Sequence, residues 1–215
     1  MTLDIYSHLS EEYVQKFPCV TFEKNTIFIP AEAQNDPAIY YILEGDVAVF
    51  AHSSRGRSFL VDELGAGDFI GKFSQMRKCN FYCEVVAMTR CRMLDITQYK
   101  HDLFNSKDFS LYFYTKTTNK LYKMYKLSLS RDLFNYSELL SYYLVIMADD
   151  ENNINSRDEY ICWKINISTR NYFYILKDLI KKGVIARKGK KISILNMEYL
   201  KKNALAVLEF MENEL

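Results

Sequence analysis

Arg170, Asn171, Tyr174 and Lys177 fall at helical spacing in the segment from Thr169 to Lys182, so a helix there carries all four on one side. Their chemistry is recognition rather than bond-making. A guanidinium offers two parallel N–H donors to guanine, a carboxamide matches adenine, and ammonium groups suit phosphate oxygens. Thr169 and Lys181 share that face, Ser168 immediately precedes it, and a second cationic cluster with Lys188, Lys190 and Lys191 follows. Together these residues imply a surface for duplex DNA. Arg170, Asn171 and Tyr174 are the candidates for base edges; Ser168, Thr169, Lys177, Lys188 and Lys190 are the candidates for the backbone.

Such a face needs elements to hold it. Tyr172, Ile175, Leu176 and Leu179 form an apolar stripe on the opposite side of the same helix, Ser168 is a good N-cap, and Gly183 is a natural stop. The stretch from Asp158 to Ile165 predicts a preceding helix, with Ile161 and Ile165 turned inward and Cys162 small enough for a helix crossing. Asn166 tolerates the left-handed turn between the two. Val184-Ile185-Ala186-Arg187 and Ile192-Ser193-Ile194-Leu195 then bracket Lys188-Gly189-Lys190-Lys191, a two-stranded hairpin with a cationic tip. The pattern is a winged helix-turn-helix. Residues 163 to 202 carry 11 Lys or Arg against two acids, an excess of nine positive charges in a chain whose formal net charge is only +1. Charge so segregated is the electrostatic footprint expected for a polyphosphate partner. The alternative is a dimeric, effector-binding adaptor whose winged helix contacts a protein.

Composition sets the remaining bounds. The 215 residues suffice for one large or two small domains, and 49% apolar with 26% charged residues is ordinary for a globular protein. No apolar run approaches the roughly 20 residues that span a bilayer, and Met1-Thr2-Leu3-Asp4 does not open a secretory signal, so a cytoplasmic protein without membrane contact is expected. Cys19, Cys79, Cys83, Cys91 and Cys162 are an odd number, which argues against a disulfide framework. Cys79, Cys83 and Cys91 lie close in sequence but match no tight zinc or cluster spacing; buried thiols acting as small hydrophobes are expected, with a redox role left open. His8, His52 and His101 are isolated, and no P-loop, dinucleotide fingerprint or nucleophile motif is present, so neither a metal, a cofactor nor catalysis is expected.

From Val20 to about Ile96 short apolar runs alternate with turn formers such as Glu44-Gly45-Asp46 and Gly65-Ala66-Gly67-Asp68, which predicts a compact antiparallel β-roll. From Ser106 to about Arg131, Phe109, Phe113, Thr117, Leu121, Met124 and Leu127 or Ser128 recur three to four apart with no Gly or Pro. A helix this long outreaches a small roll, so the stripe is expected to be exposed and to pair with a second copy, giving a homodimer. Another helix, Ser137 to Ala148, leads through the polar loop Asp149 to Asn153, read as a separator between sensing and DNA reading.

The order of parts, together with Tyr40-Tyr41-Ile42-Leu43-Glu44-Gly45-Asp46-Val47, Leu64-Gly65-Ala66-Gly67-Asp68-Phe69-Ile70-Gly71 and the stretch from Ser168 to Ile185, resembles the Crp/Fnr family of bacterial transcription regulators over about residues 20 to 200. The resemblance implies an α+β chain. It has an N-terminal β jelly-roll of the cyclic-nucleotide-binding-domain type over 1–105, a long dimerisation helix over 106–135, and a C-terminal winged helix-turn-helix over 136–215. It also implies a palindromic operator read by a homodimer, and RNA polymerase as a partner. In the family's recognition motif the third residue, commonly Glu, is Arg170 here, and the usual Arg position is Tyr174, so a different operator is implied.

The sensor departs further from the family pattern. Where cyclic-nucleotide binders carry Gly-Glu and, some ten residues on, Arg-Ser, this chain has Gly71-Lys72 and Phe81-Tyr82. Without the arginine a half-buried phosphodiester has no charge-assisted partner, so control by cyclic AMP is not expected. Two readings stay open: Lys72 with Phe73, Phe81 and Tyr82 around an unidentified small-molecule effector, or the same aromatics filling the pocket.

Overall fold

The computed structural model describes residues 5–9, 11–31, 38–54, 56, 58–71 and 83–212. It divides into two compact units, Met1–Tyr122 and Lys123–Leu215. In the first, eight described strands form two antiparallel sheets. One sheet runs β1 (Cys19–Phe22), β8 (Cys91–Asp95), β3 (Tyr40–Glu44) and β6 (Phe69–Ile70). The other runs β2 (Ile27–Ile29), β7 (Cys83–Ala87), β4 (Val47–His52) and β5 (Ser58–Leu64). Strand alternation sends Ile42, Ile70 and Met93 into a core shared with Val47, Val49, Leu64 and Val85 of the second sheet. The next residue or the one before, Tyr41, Phe69 and Leu94, faces the other way into a separate cluster under helices. Both faces of the first sheet are therefore dry, which is why Tyr40-Tyr41-Ile42-Leu43 reads as a continuous apolar run.

Those helices are a 3-10 turn at Ile5–Ser7, α1 (Glu11–Val14), α2 (Lys100–Asn105) and the start of α3 (Lys107–Leu133). The predicted exposed stripe of the long helix is corrected here. Phe109 and Phe113 are fully buried against Phe69 and Tyr112, and Thr117 is buried too, because the outer face of the first sheet needs a cover. The large exposed apolar residues of the same helix are Leu111 (65%), Tyr114 (50%), Leu121 (42%), Tyr122 (37%), Tyr125 (60%) and Leu133 (62%). Lys120 secures the helix to the end of β5, with Nζ at 3.1 Å from the Asp62 carboxylate and donating to the Glu63 carbonyl.

The second unit gathers the end of α3, α4 (Tyr136–Met147), β9 (Asn153–Asn155), α5 (Asp158–Ile165), α6 (Thr169–Lys181), β10 (Ile185–Lys188), β11 (Lys191–Ile194), α7 (Met197–Asn203) and α8 (Leu205–Glu212). Asn135 caps α4 in a capping box with Glu138. Two cations of α3 reach the C-terminal carbonyls of other helices: Lys126 Nζ donates to Met211 O at 2.9 Å and Arg131 Nη2 to Lys164 O at 3.0 Å, where the helix dipoles favour positive charge. The loop read as a separator is instead part of this unit. Asp149 Oδ1 accepts from the amides of Glu151 and Asn153, and β9 then pairs antiparallel with β11, Ile154 opposite Ile192. The wing is thus the edge strand β10 and the central strand β11 of a three-stranded sheet.

Cys83, Cys91 and Cys162 are buried, and Cys19 is exposed. Burial pushes the Cys83 and Cys91 thiols up, and the Cys162 thiol up to about 11, so the thiolate is disfavoured at all three. Cys79 lies outside the described residues. Among the described residues no group of three or more His, Cys, Asp or Glu is placed to hold a metal, and no helix is long and apolar enough to cross a membrane. Native alkylation with iodoacetamide at about pH 8 is expected to label Cys19 and spare Cys83, Cys91 and Cys162 until denaturant is added; early labelling of Cys83 or Cys91, read by peptide mapping, contradicts this. Phe113→Ala is expected to cost the first unit about 3–5 kcal/mol by chemical denaturation.

Candidate nucleic-acid interface

Helix α6 is built as its sequence requires. Ser168 Oγ accepts from the Asn171 amide at 3.2 Å, Asn166 takes the left-handed conformation at φ 52° between α5 and α6, and Gly183 at φ 69° follows the helix. Tyr172, Leu176 and Leu179 are buried with Ile161, Ile165, Val184 and Leu144, while Ile175 packs at the edge of that cluster. The helix therefore has a dry side and a bare side. Ser168, Thr169, Arg170, Asn171, Tyr174 and Lys177 are all exposed, Tyr174 to 78%. The structure brings six of the eight expected DNA-contacting residues onto one short helix and its cap, and puts the other two, Lys188 and Lys190, exposed at the wing tip.

The wing tip has its own electrostatics. Lys188 and Lys191 are register partners across the hairpin, so two like charges stand opposite each other. That arrangement is destabilising on its own and is relieved by an anion. Gly189, at φ 62°, opens the two-residue turn, and Lys190 follows it. Lys191 is a further wing-tip cation, exposed like Lys188 and Lys190, that is not among the eight expected DNA contacts.

Not every cation of the basic segment is free for a polyanion. Arg187 Nη2 lies 2.6 Å from Asp158 Oδ2, and Lys182 Nζ lies 2.6 Å from Asp178 Oδ2. Tyr172, expected only as an apolar residue, also donates its hydroxyl to Asp158 Oδ1 at 2.9 Å. Burial and that hydrogen bond push its pKa well up, so it stays protonated. The sequence signal for this triad was available only as an Asp at the start of one helix and a Tyr in the first turn of the next.

The expected effector pocket is less fully described. Lys72, Phe73, Phe81 and Tyr82 lie outside the described residues. Gly71 lies inside them, at φ 84°, where any Cβ would run into the carbonyl oxygen of Ala38. Its glycine is therefore demanded by the backbone, whatever the pocket holds.

Residues 19–102 match the family model for the cyclic nucleotide-binding domain. No curated protein matches the sequence. Among solved structures, the chain is similar to a protein from Eubacterium rectale described as a crp/fnr-family transcriptional regulator, with a TM-score of 0.79 at 15% identity over 95% of this chain and 99% of that one. It is also similar to CLP, the c-di-GMP responsive global regulator of Xanthomonas campestris, with a TM-score of 0.73 at 14% identity over 86% of this chain and 96% of that one. A CRP/FNR-family transcriptional regulator from Thermus thermophilus gives 0.71 at 15% identity over 87% and 98%. The chain accordingly carries a cyclic nucleotide-binding domain over residues 19–102 and has, along nearly its whole length, the α+β fold of the Crp/Fnr-family transcription regulators.

Proposed function

We propose that this protein is a sequence-specific DNA-binding transcription regulator of the Crp/Fnr type, acting as a homodimer on a palindromic operator and not controlled by cyclic AMP. The observation that carries the reading is the bare side of α6, where Arg170, Asn171, Tyr174 and Lys177 stand exposed on a helix capped and buried along its other side. A helix so presented fits the major groove, and the cations at Lys188, Lys190 and Lys191 suit the flanking phosphates. The fold shared with known regulators supports the same reading.

Dimerisation is supported by α3. Leu111, Tyr114, Thr118, Leu121 and Tyr125 are exposed and spaced three, four, three and four apart, which is the seam spacing of a coiled coil. A two-fold dimer matches half-sites about one helical turn apart. Independence from cyclic AMP is supported by the residue types Lys72, Phe81 and Tyr82, which lack the carboxylate and guanidinium a cyclic nucleotide needs. An effector of another kind and contact with RNA polymerase belong to this proposal, and transcription in a purified system with and without cell extract tests both.

Selection from random duplex DNA at near-physiological salt, with no ligand added, is expected to enrich a palindrome. Steep salt dependence without an enriched sequence contradicts base readout, and no DNA binding at all means either that the roll awaits a ligand or that the protein-contacting adaptor gains. On the selected site Arg170→Ala is expected to cost about 1–3 kcal/mol at one base pair per half-site, whereas Lys190→Ala weakens all sequences alike and lowers the salt slope by about one per half-site. Leu121→Glu is expected to yield monomers by sedimentation, with the folded spectrum kept; a dimer in that variant places the interface elsewhere.

A further inference from the structure

Arg187 differs from the other cations of the wing. Its side chain is only 20% exposed, and its guanidinium is engaged within the unit on three sides. Nη2 donates to Asp158 Oδ2 at 2.6 Å, Nε donates to the carbonyl of Gly189 at 2.9 Å, and the group lies 5.4 Å from the centre of the Phe173 ring. The second oxygen of the same carboxylate accepts from Tyr172. One carboxylate at the start of α5 thus receives the first turn of α6 through Tyr172 and the wing through Arg187.

The topology gives that contact a purpose. In the order β10, β11, β9 the strand that carries Arg187 is an edge strand, bonded to β11 alone. The third strand supports only Lys191 to Ser193 of β11, and a hairpin arm with one neighbour is marginal in water. The repulsion between Lys188 and Lys191 loosens the tip further. Ile185 anchors the near end of β10 in the core, and Arg187 is the side chain that ties its far end to the helices.

We propose that Asp158, Tyr172 and Arg187 form a positioning clamp that sets the wing against the recognition helix, so that Arg187 serves DNA affinity through Lys188 and Lys190 and not by touching a phosphate. The consequence for DNA rests on the function proposed above, whereas the clamp itself is open to test without DNA. Its remaining group, Nη1, has no hydrogen-bond partner but is buried, so to reach a phosphate the guanidinium has to leave the carboxylate, the carbonyl and the ring that hold it. The lysines at the tip have no such cost, and the clamp fixes where they stand relative to Arg170.

The test uses the full chain with Asp158→Asn, Arg187→Met and Tyr172→Phe, the last keeping the ring in the core if either of the others fails to fold. In amide hydrogen exchange of the DNA-free protein, the variants are expected to raise exchange at Lys188 to Ile192 by about tenfold while Leu176 and Leu179 stay protected. On duplex DNA, Asp158→Asn is expected to weaken binding and to lower the salt slope by about two per half-site, one each for Lys188 and Lys190. In a Lys188→Ala, Lys190→Ala background the same change is expected to have no further effect. Unchanged wing exchange in all three variants overturns the clamp. Tighter binding by Asp158→Asn, or an Arg187→Met loss that persists in full without the two lysines, makes Arg187 a direct phosphate ligand and overturns the proposal. If the unaltered protein binds no duplex DNA yet wing exchange still rises in the variants, the DNA-binding reading falls and the clamp stands.

Discussion

A helix offered to a ligand along one face has only its opposite face with which to stay folded. Thirteen residues from Thr169 to Lys181 are at the edge of what an isolated helix sustains in water. Burial of Tyr172, Leu176 and Leu179, worth about 1.5–3 kcal/mol for each side chain, supplies what propensity does not. The cap at Ser168 and the left-handed Gly183 close the two ends without drawing on the exposed face. Everything else in the second unit, from α4 beneath to the three-stranded sheet beside it, builds the apolar surface that this one stripe needs.

The first unit answers a related demand. A sheet with both faces dry needs two covers, and β3, β6 and β8 have the second sheet on one side and helices on the other. The long helix meets that need with Phe109, Tyr112 and Phe113, which leaves Leu111, Tyr114 and Leu121 outward. Residues one or two positions apart on the same helix thus have opposite fates, because a turn of 3.6 residues carries them to different sides.

Electrostatics is partitioned in the same way. Counting cations from Trp163 to Lys202 overstates the positive surface, since Arg187 and Lys182 are neutralised by Asp158 and Asp178 at 2.6 Å each. Of the side chains left exposed, Arg170 and Lys177 stand on the helix that the stripe holds down, and Lys188, Lys190 and Lys191 stand at the wing tip. Position as well as charge separates a recognition surface from a merely basic one.

Sequence alone determined whatever depends on local period and backbone chemistry. The bounds and inward faces of α5 and α6, the Ser168 cap, the Asn166 turn, the hairpin around Gly189 and most strands of the roll are local, and the alternation or helical repeat of a few side chains specifies them. Tertiary structure decided whatever depends on which apolar or charged group finds a partner far away in the chain. β9 has a single apolar residue, Ile154, and becomes a strand only because β11 offers it an edge. Phe109 and Phe113 show the same periodicity as an exposed seam, and only the uncovered sheet above them turns that side inward. Asp158 and Arg187 are 29 positions apart. No spacing rule links them, and their pairing exists because the fold brings a helix start and an edge strand to the same place.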